Sequence, residues 1–269
     1  MTVTKKRFLV LISALVMALS FSLLACSGGN TSKSSSSADN STAYELINEG
    51  KLTVASELDF PPYESFEEGQ EKGFSIELMA LLAEEMGCEL EYLSPVEADT
   101  IVSMITTGTR ADVGASSFIV SDELSSGVDF TNSYCAADQG ILVMKGSNYS
   151  GAEDLEGKKV GVKAGSVGQS WAAENIRSAE VLAFEEMPAL FATLQSGQID
   201  GIVIDVPVAH YYTKDLYQDV SIVQEIPTGS YYALMVNKGN PKLTQALNTA
   251  LEAIKSNGKY DELYAKWFG

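Results

Sequence analysis

Residues 52–93 read LTVASELDFPPYESFEEGQEKGFSIELMALLAEEMGCELEYL. Leu52-Thr53-Val54-Ala55 reads as a short buried strand. Ser75 is placed to cap a helix that carries Ile76, Met79, Ala80, Ala83 and Met86 on one face. Gly87 ends that helix, and Glu89 to Leu93 alternates as a second strand. Further on, Asp99 is placed to cap a helix that runs to Thr107 and stops at Gly108, and Asp112 to Ala115 is a short strand. This βαβα order implies a parallel sheet with helices on both faces.

The order repeats in the second half. Lys159 to Val162 is a strand, and Gly165-Ser166-Val167-Gly168 turns into a helix. Val181 to Phe184 is a strand, Pro188 fits the first turn of a helix ending near Gly197, and Ile199 to Ile204 is an apolar strand interrupted by Gly201. The C-terminus is helical over 241–256 and again over 260–268. Two α/β units with a returning C-terminal segment predict a two-lobed molecule with a cleft. Ligands of open α/β sheets sit beyond the carboxyl ends of the strands, and here two such edges can face each other.

The N-terminus reads differently. Lys5, Lys6 and Arg7 precede an uncharged apolar run from Phe8 to Ala25, the pattern of a secretion signal over 1–25. The run is also close to the length of a membrane span. Leu23-Leu24-Ala25-Cys26 resembles a bacterial lipobox, which favours cleavage before Cys26 and its lipidation. Residues 26–43 are small and polar after the cysteine, too poor in apolar groups to offset ordering entropy, and read as a tether. The expected location is the extracytoplasmic face of a membrane.

Residues 44–269 are long enough for two modest lobes. The formal charge of −18 repels phosphates and argues against nucleic-acid binding. It suits a soluble surface protein and slightly favours cationic solutes. With Cys26 lipidated, Cys88 and Cys135 remain; export permits a disulfide, and two buried thiols are the alternative. No CxxC or metal-ligand spacing occurs, so neither a metal nor a cofactor is expected.

In this order and spacing, the sequence resembles the family 3 extracellular solute-binding proteins, which serve polar amino-acid ABC importers. The resemblance is carried by Leu52 to Tyr63, Gly73 to Leu78, Val128 to Tyr134, Ala136 to Asp138, Val160 to Ser166, Gly197 to Asp205 and Gly258 to Gly269. It implies the type II periplasmic-binding-protein fold, two α/β lobes joined by a two-strand hinge that closes on ligand. Lobe 1 would be 44–136 with 233–269, and lobe 2 would be 137–232. The implied partners are a small-molecule ligand (an amino acid or amine), an ABC permease and the membrane; the protein would act as a monomer.

The resemblance also carries site residues. Glu57 stands where relatives that bind basic side chains often have an acid, and Phe60 where an aromatic ring flanks the ligand. Ser116, Ser117 and Phe118 match the lobe 1 contact segment. Ser166, Val167 and Gly168 match the lobe 2 turn at a helix N-terminus, whose free N–H groups suit a carboxylate. Asp205 matches the acid that grips the ligand α-ammonium. Two departures weaken carboxylate recognition. Leu124 occupies the position of the arginine that clamps the α-carboxylate, with Lys163 or Ser121 as substitutes, and Val167 replaces a hydroxyl residue.

Other functions are less well supported. A few dehydratases share the fold, but they too must bind a carboxylate and the arginine is missing; the only histidine, His210, has no nearby nucleophile motif for a triad, so no enzyme is expected. A lipoprotein that presents ligand to a sensor is the remaining alternative.

Overall fold

The computed structural model of the chain describes residues 44–268. The expected signal segment, Cys26 and the tether lie outside the described residues, as does Gly269.

The first half runs β1 (Lys51–Ala55), β2 (Asp59–Phe60), β3 (Glu64–Glu67), β4 (Gln70–Lys72), α1 (Phe74–Met86), β5 (Glu89–Leu93), α2 (Ala98–Thr107), β6 (Val113–Gly114), the short α3 (Asp122–Ser125), β7 (Val128–Phe130) and β8 (Cys135–Ala136). Both long helices start earlier than the sequence pattern implies. Their N-caps are Gly73 and Glu97, so Ser75 and Asp99 fall within the first turns. Gly73 has φ 134°, and a Cβ there would lie 2.1 Å from the Tyr63 carbonyl oxygen, so only glycine fits the entry to α1. At the other ends Gly87 and Gly108 are left-handed caps, as expected.

The second half runs β9 (Gln139–Met144), β10 (Lys159–Lys163), α4 (Val167–Asn175), β11 (Glu180–Phe184), α5 (Met187–Gln195), β12 (Gly201–Asp205), α6 (Val206–Asp215), β13 (Val220–Ile226) and β14 (Tyr231–Tyr232). β15 (Met235–Asn237), α7 (Pro241–Ser256) and α8 (Lys259–Phe268) then return to the first half.

Two five-stranded sheets result, ordered β5-β1-β6-β15-β7 and β11-β10-β12-β9-β13. They are mixed, not parallel throughout. β1 pairs in parallel with β5 and β6, and β10 with β11 and β12. β15 and β9 run antiparallel to both of their neighbours. Each of these two strands enters its sheet directly from the crossing segments, with no helical crossover to reverse it. Between the lobes, β8 and β14 pair antiparallel, Tyr231 opposite Ala136 and Tyr232 opposite Cys135.

Strand alternation gives each sheet two apolar faces. Leu52 and Val54 point into one core and Ala55 into another with Ile101, Ile105 and Met235. Ile202 and Ile204 likewise face away from Val203, which packs with Val160, Val162 and Ala172. Cys88 and Cys135 are free thiols; Cys135 is buried beside the Tyr63 hydroxyl at 3.4 Å. Among the described residues no helix is long and apolar enough to cross a membrane.

Candidate functional site

A cavity of about 280 Å³ lies where the two lobes meet. Glu57, Asp59 and Phe60 reach it from the segment after β1, Glu97 and Ala98 from the start of α2, and Ser116, Ser117 and Ile119 from the segment after β6. Lys163 to Val167, at the end of β10 and the start of α4, close the opposite side with Glu185, and Tyr232 contributes from the crossing strand. A larger surface groove of about 360 Å³ draws only on Tyr44, α1 and α7, one side of one lobe. The cleft cavity draws polar groups from both lobes and is the better candidate.

Strand ends place these groups. Glu57 follows β1, where the backbone leaves the sheet, and its N–H donates to Ser116 Oγ at 3.2 Å. The Ser116 hydroxyl in turn donates to Glu57 Oε2 at 3.4 Å. Burial and the Asp59 carboxylate push Glu57 above the usual carboxylate range, against the Ala98 amide and Lys163. Ser117 sits at φ 47°, a conformation rare for residues with a side chain. On the facing lobe, Ser166 caps α4. Its Oγ accepts from the Gln169 N–H at 3.2 Å, and Gln169 Oε1 accepts from the Gly165 N–H at 2.8 Å. Val167 begins the helix and lines the cavity, so the positive end of its dipole faces inward.

Lys163 is the one basic residue among the described residues that line the cavity. Its ammonium pairs with Asp59 Oδ2 at 3.3 Å, which ties the end of β10 to β2 across the cleft. Leu124, at the position of the clamping arginine, lies in α3 and packs against the Ala55–Ile101 core. Ser121 is occupied as the cap of that helix, its Oγ accepting from the Leu124 N–H at 3.3 Å.

Six of the nine sequence-derived ligand contacts therefore share one cavity: Glu57, Phe60, Ser116, Ser117, Ser166 and Val167. Phe118 does not; its ring is buried with Ile101 and Met104. Gly168 does not either, because it packs on the sheet, where a Cβ would lie 2.7 Å from Gln139 Oε1 and from the Val203 carbonyl oxygen. Asp205 stands one layer behind the cavity. It is fully buried, the Tyr232 hydroxyl donates to its Oδ1, and its Oδ2 has no partner. Burial pushes its carboxyl up to about 6, with the Tyr232 hydroxyl acting in the opposite direction.

Sequence reasoning missed Glu64, Asp59, Glu97, Glu185 and Tyr232. Asp59 and Glu64 flank a Phe-Pro-Pro-Tyr stretch that gave no cue to which side chains turn inward. Among the described residues no group of three or more His, Cys, Asp or Glu side chains is arranged to hold a metal.

The family model of bacterial extracellular solute-binding proteins, family 3, matches residues 52–269. The chain belongs to this family. It is 30% identical over 236 residues to the L-cystine-binding protein TcyJ of Escherichia coli K12, covering 86% of this chain and 88% of the relative. A solved ancestral arginine-binding protein bound to arginine superimposes with a TM-score of 0.71 at 36% identity, covering 82% of this chain and 99% of the other. An ancestral amino acid-binding protein described as a precursor of cyclohexadienyl dehydratase superimposes with a TM-score of 0.71 at 33% identity, covering 82% and 96%. As a family 3 protein the chain is a substrate-binding subunit, and the two-lobed α/β architecture is that of its solved relatives.

Proposed function

We propose that this family 3 protein captures an amino acid or related cationic amine for an ABC importer. The observation that carries the reading is the composition of the cleft. Five carboxyl groups, from Glu57, Asp59, Glu64, Glu97 and Glu185, line it, and Lys163, the one basic group, is already paired with Asp59. Such a cavity draws in cations. Phe60, stacked on Tyr63 with ring centroids 5.7 Å apart, presents an aromatic wall to an ammonium or guanidinium. With the half-buried Leu124 at the arginine position and Lys163 paired with Asp59, the N-terminus of α4 is the main group left to meet a ligand carboxylate. Binding is favoured over turnover, because the curated relatives are binding proteins.

Titration calorimetry with L-arginine and with agmatine, its decarboxylated amine, tests this reading. Affinities within a hundredfold are expected. A larger advantage for arginine means that the carboxylate is held strongly, and the role given to Leu124 fails.

Cleavage and lipidation at Cys26 complete the proposal, with the tether holding the lobes near the permease. Mass spectrometry of the exported protein should find a lipidated N-terminal Cys26. An intact 1–25 segment refutes this part.

A further inference from the structure

Glu64 opens β3 and, with Asp205, is one of two fully buried carboxyl groups among the described residues. Unlike Asp205, it lines the cavity itself. Neither of its oxygens has a hydrogen-bond partner. The hydroxyls of Ser75 and Ser117 are near enough to favour its ionised form, yet neither reaches hydrogen-bond geometry, and both are themselves unpartnered, as is the Tyr134 hydroxyl. Of these groups Glu64 and Ser117 line the cavity, and a buried carboxyl there without a fixed hydrogen-bond partner is one that an arriving group can complete.

We propose that Glu64 is a specificity-determining ligand contact that accepts the cationic group of the bound solute and releases its own proton to solvent as it does so. The inference rests on the reading of the cleft as the solute site.

The charges around Glu64 agree with this. Asp59 and Glu57 act on it from the segment after β1. From the other packed elements it faces Tyr92 on β5, Tyr134 before β8 and Tyr232 on β14. Among the described residues lining the cavity, the one cation, Lys163, is paired with Asp59 and not with Glu64. Burial, with those two carboxylates, pushes Glu64 up to about 8. In the unliganded protein at pH 7 the carboxyl is then roughly nine-tenths protonated. A cation in the cavity favours the carboxylate, and the proton passes to the buffer. An uncharged solute of the same shape leaves the proton in place.

The test is calorimetric titration of the folded domain with L-arginine and with L-citrulline, its uncharged counterpart, at pH 7 in phosphate and in Tris. The buffer dependence of the enthalpy counts protons released. The two solutes share their α-ammonium and α-carboxylate, so those groups cancel in the difference. Arginine should release close to one proton more than citrulline, and the difference should fade as the pH is raised to 9. In Glu64→Gln the difference should vanish, and arginine should bind at least tenfold more weakly, with citrulline changed less than threefold. Equal counts for the two solutes in the wild type overturn the proposal, as does a difference that survives in Glu64→Gln, which would belong to Glu57 or Asp205. If that variant fails to fold, the wild-type pH series decides, since a difference unchanged from pH 7 to 9 refutes Glu64. Binding of citrulline without arginine overturns this proposal alone. Binding of neither, when another amino acid such as L-cystine or L-glutamine does bind, overturns this proposal and leaves the proposed function, whereas no binding of any of them overturns both.

Discussion

A carboxylate with no exposed surface and one unpartnered oxygen is costly to keep ionised, and Asp205 is such a group. The native carboxyl binds its proton more tightly than the unfolded one, because burial raises it from 3.8 to about 6. Stability from this group is therefore fully present below the unfolded value and is lost as pH rises through about 6. A shift of two units corresponds to roughly 3 kcal/mol. Asp205→Asn, which cannot ionise, should abolish that slope. Denaturant unfolding of the ligand-free domain at pH 4 and pH 7.5 should show the wild type losing more stability than the variant across this interval. Equal losses would mean that Asp205 does not carry the burial cost assigned to it. The same residue shows what sequence conveys at this scale. An acid ending an apolar strand pointed to the cleft, but the Tyr232 hydroxyl that covers it comes from a segment 27 residues away.

The first turn of helix α4 lines the cleft cavity, so under the proposed function its cap serves both stability and recognition. Ser166 Oγ accepts the Gln169 N–H and donates to the Lys163 carbonyl at 2.7 Å, which fixes the turn against the end of β10. Removing an N-cap hydroxyl costs about 1 kcal/mol. Ser166→Ala should lower unfolding stability by about that amount and weaken ligand binding several-fold, whereas Ser166→Asp should restore the stability alone. A Ser166→Ala protein with unchanged stability and affinity would show that the turn is held by other contacts. Elements of this kind were legible in the sequence where local chemistry decides them. The Ser166 turn, the Gly87 and Gly108 stops and the apolar β1 and β12 runs follow from propensity and capping. The starts of α1 and α2 were not legible, because the caps belong to Gly73, chosen by contact with Tyr63, and to Glu97. The short β2–β4 meander and the antiparallel insertions of β9 and β15 were also missed. The pairing of β9 and β15 is decided by where the chain returns from the crossing strands, which no local pattern contains, whereas the meander is local but its strands are only two to four residues long.

At the scale of the whole molecule, Asp59 and Lys163 connect the two lobes opposite the crossing strands β8 and β14. The Lys163 side chain is 12% exposed and Asp59 53%, so the pair is only partly shielded from solvent. A bridge of this kind is worth at most about 1 kcal/mol, roughly fivefold in an equilibrium constant. That is small for stability but enough to shift a balance between open and closed lobes that is nearly even. A ligand held in this cavity, as the proposed function has it, favours the closed form, since the cavity is assembled from both lobes. Small-angle scattering should accordingly give a smaller radius of gyration at saturating L-arginine than without it. Lys163→Ala removes the bridge and leaves Asp59 to repel Glu57. Without ligand this variant should be more expanded than the wild type. It has lost an interlobe contact of the closed form, but a cationic ligand also loses a competing cation from the cavity. Its affinity for arginine should therefore fall less than fivefold, while citrulline, which gains nothing from the freed carboxylate, should lose the full factor. Identical ligand-free scattering curves for the two proteins would show that the crossing strands alone set the lobe angle. The bridge would then be a consequence of closure and not a contributor to it.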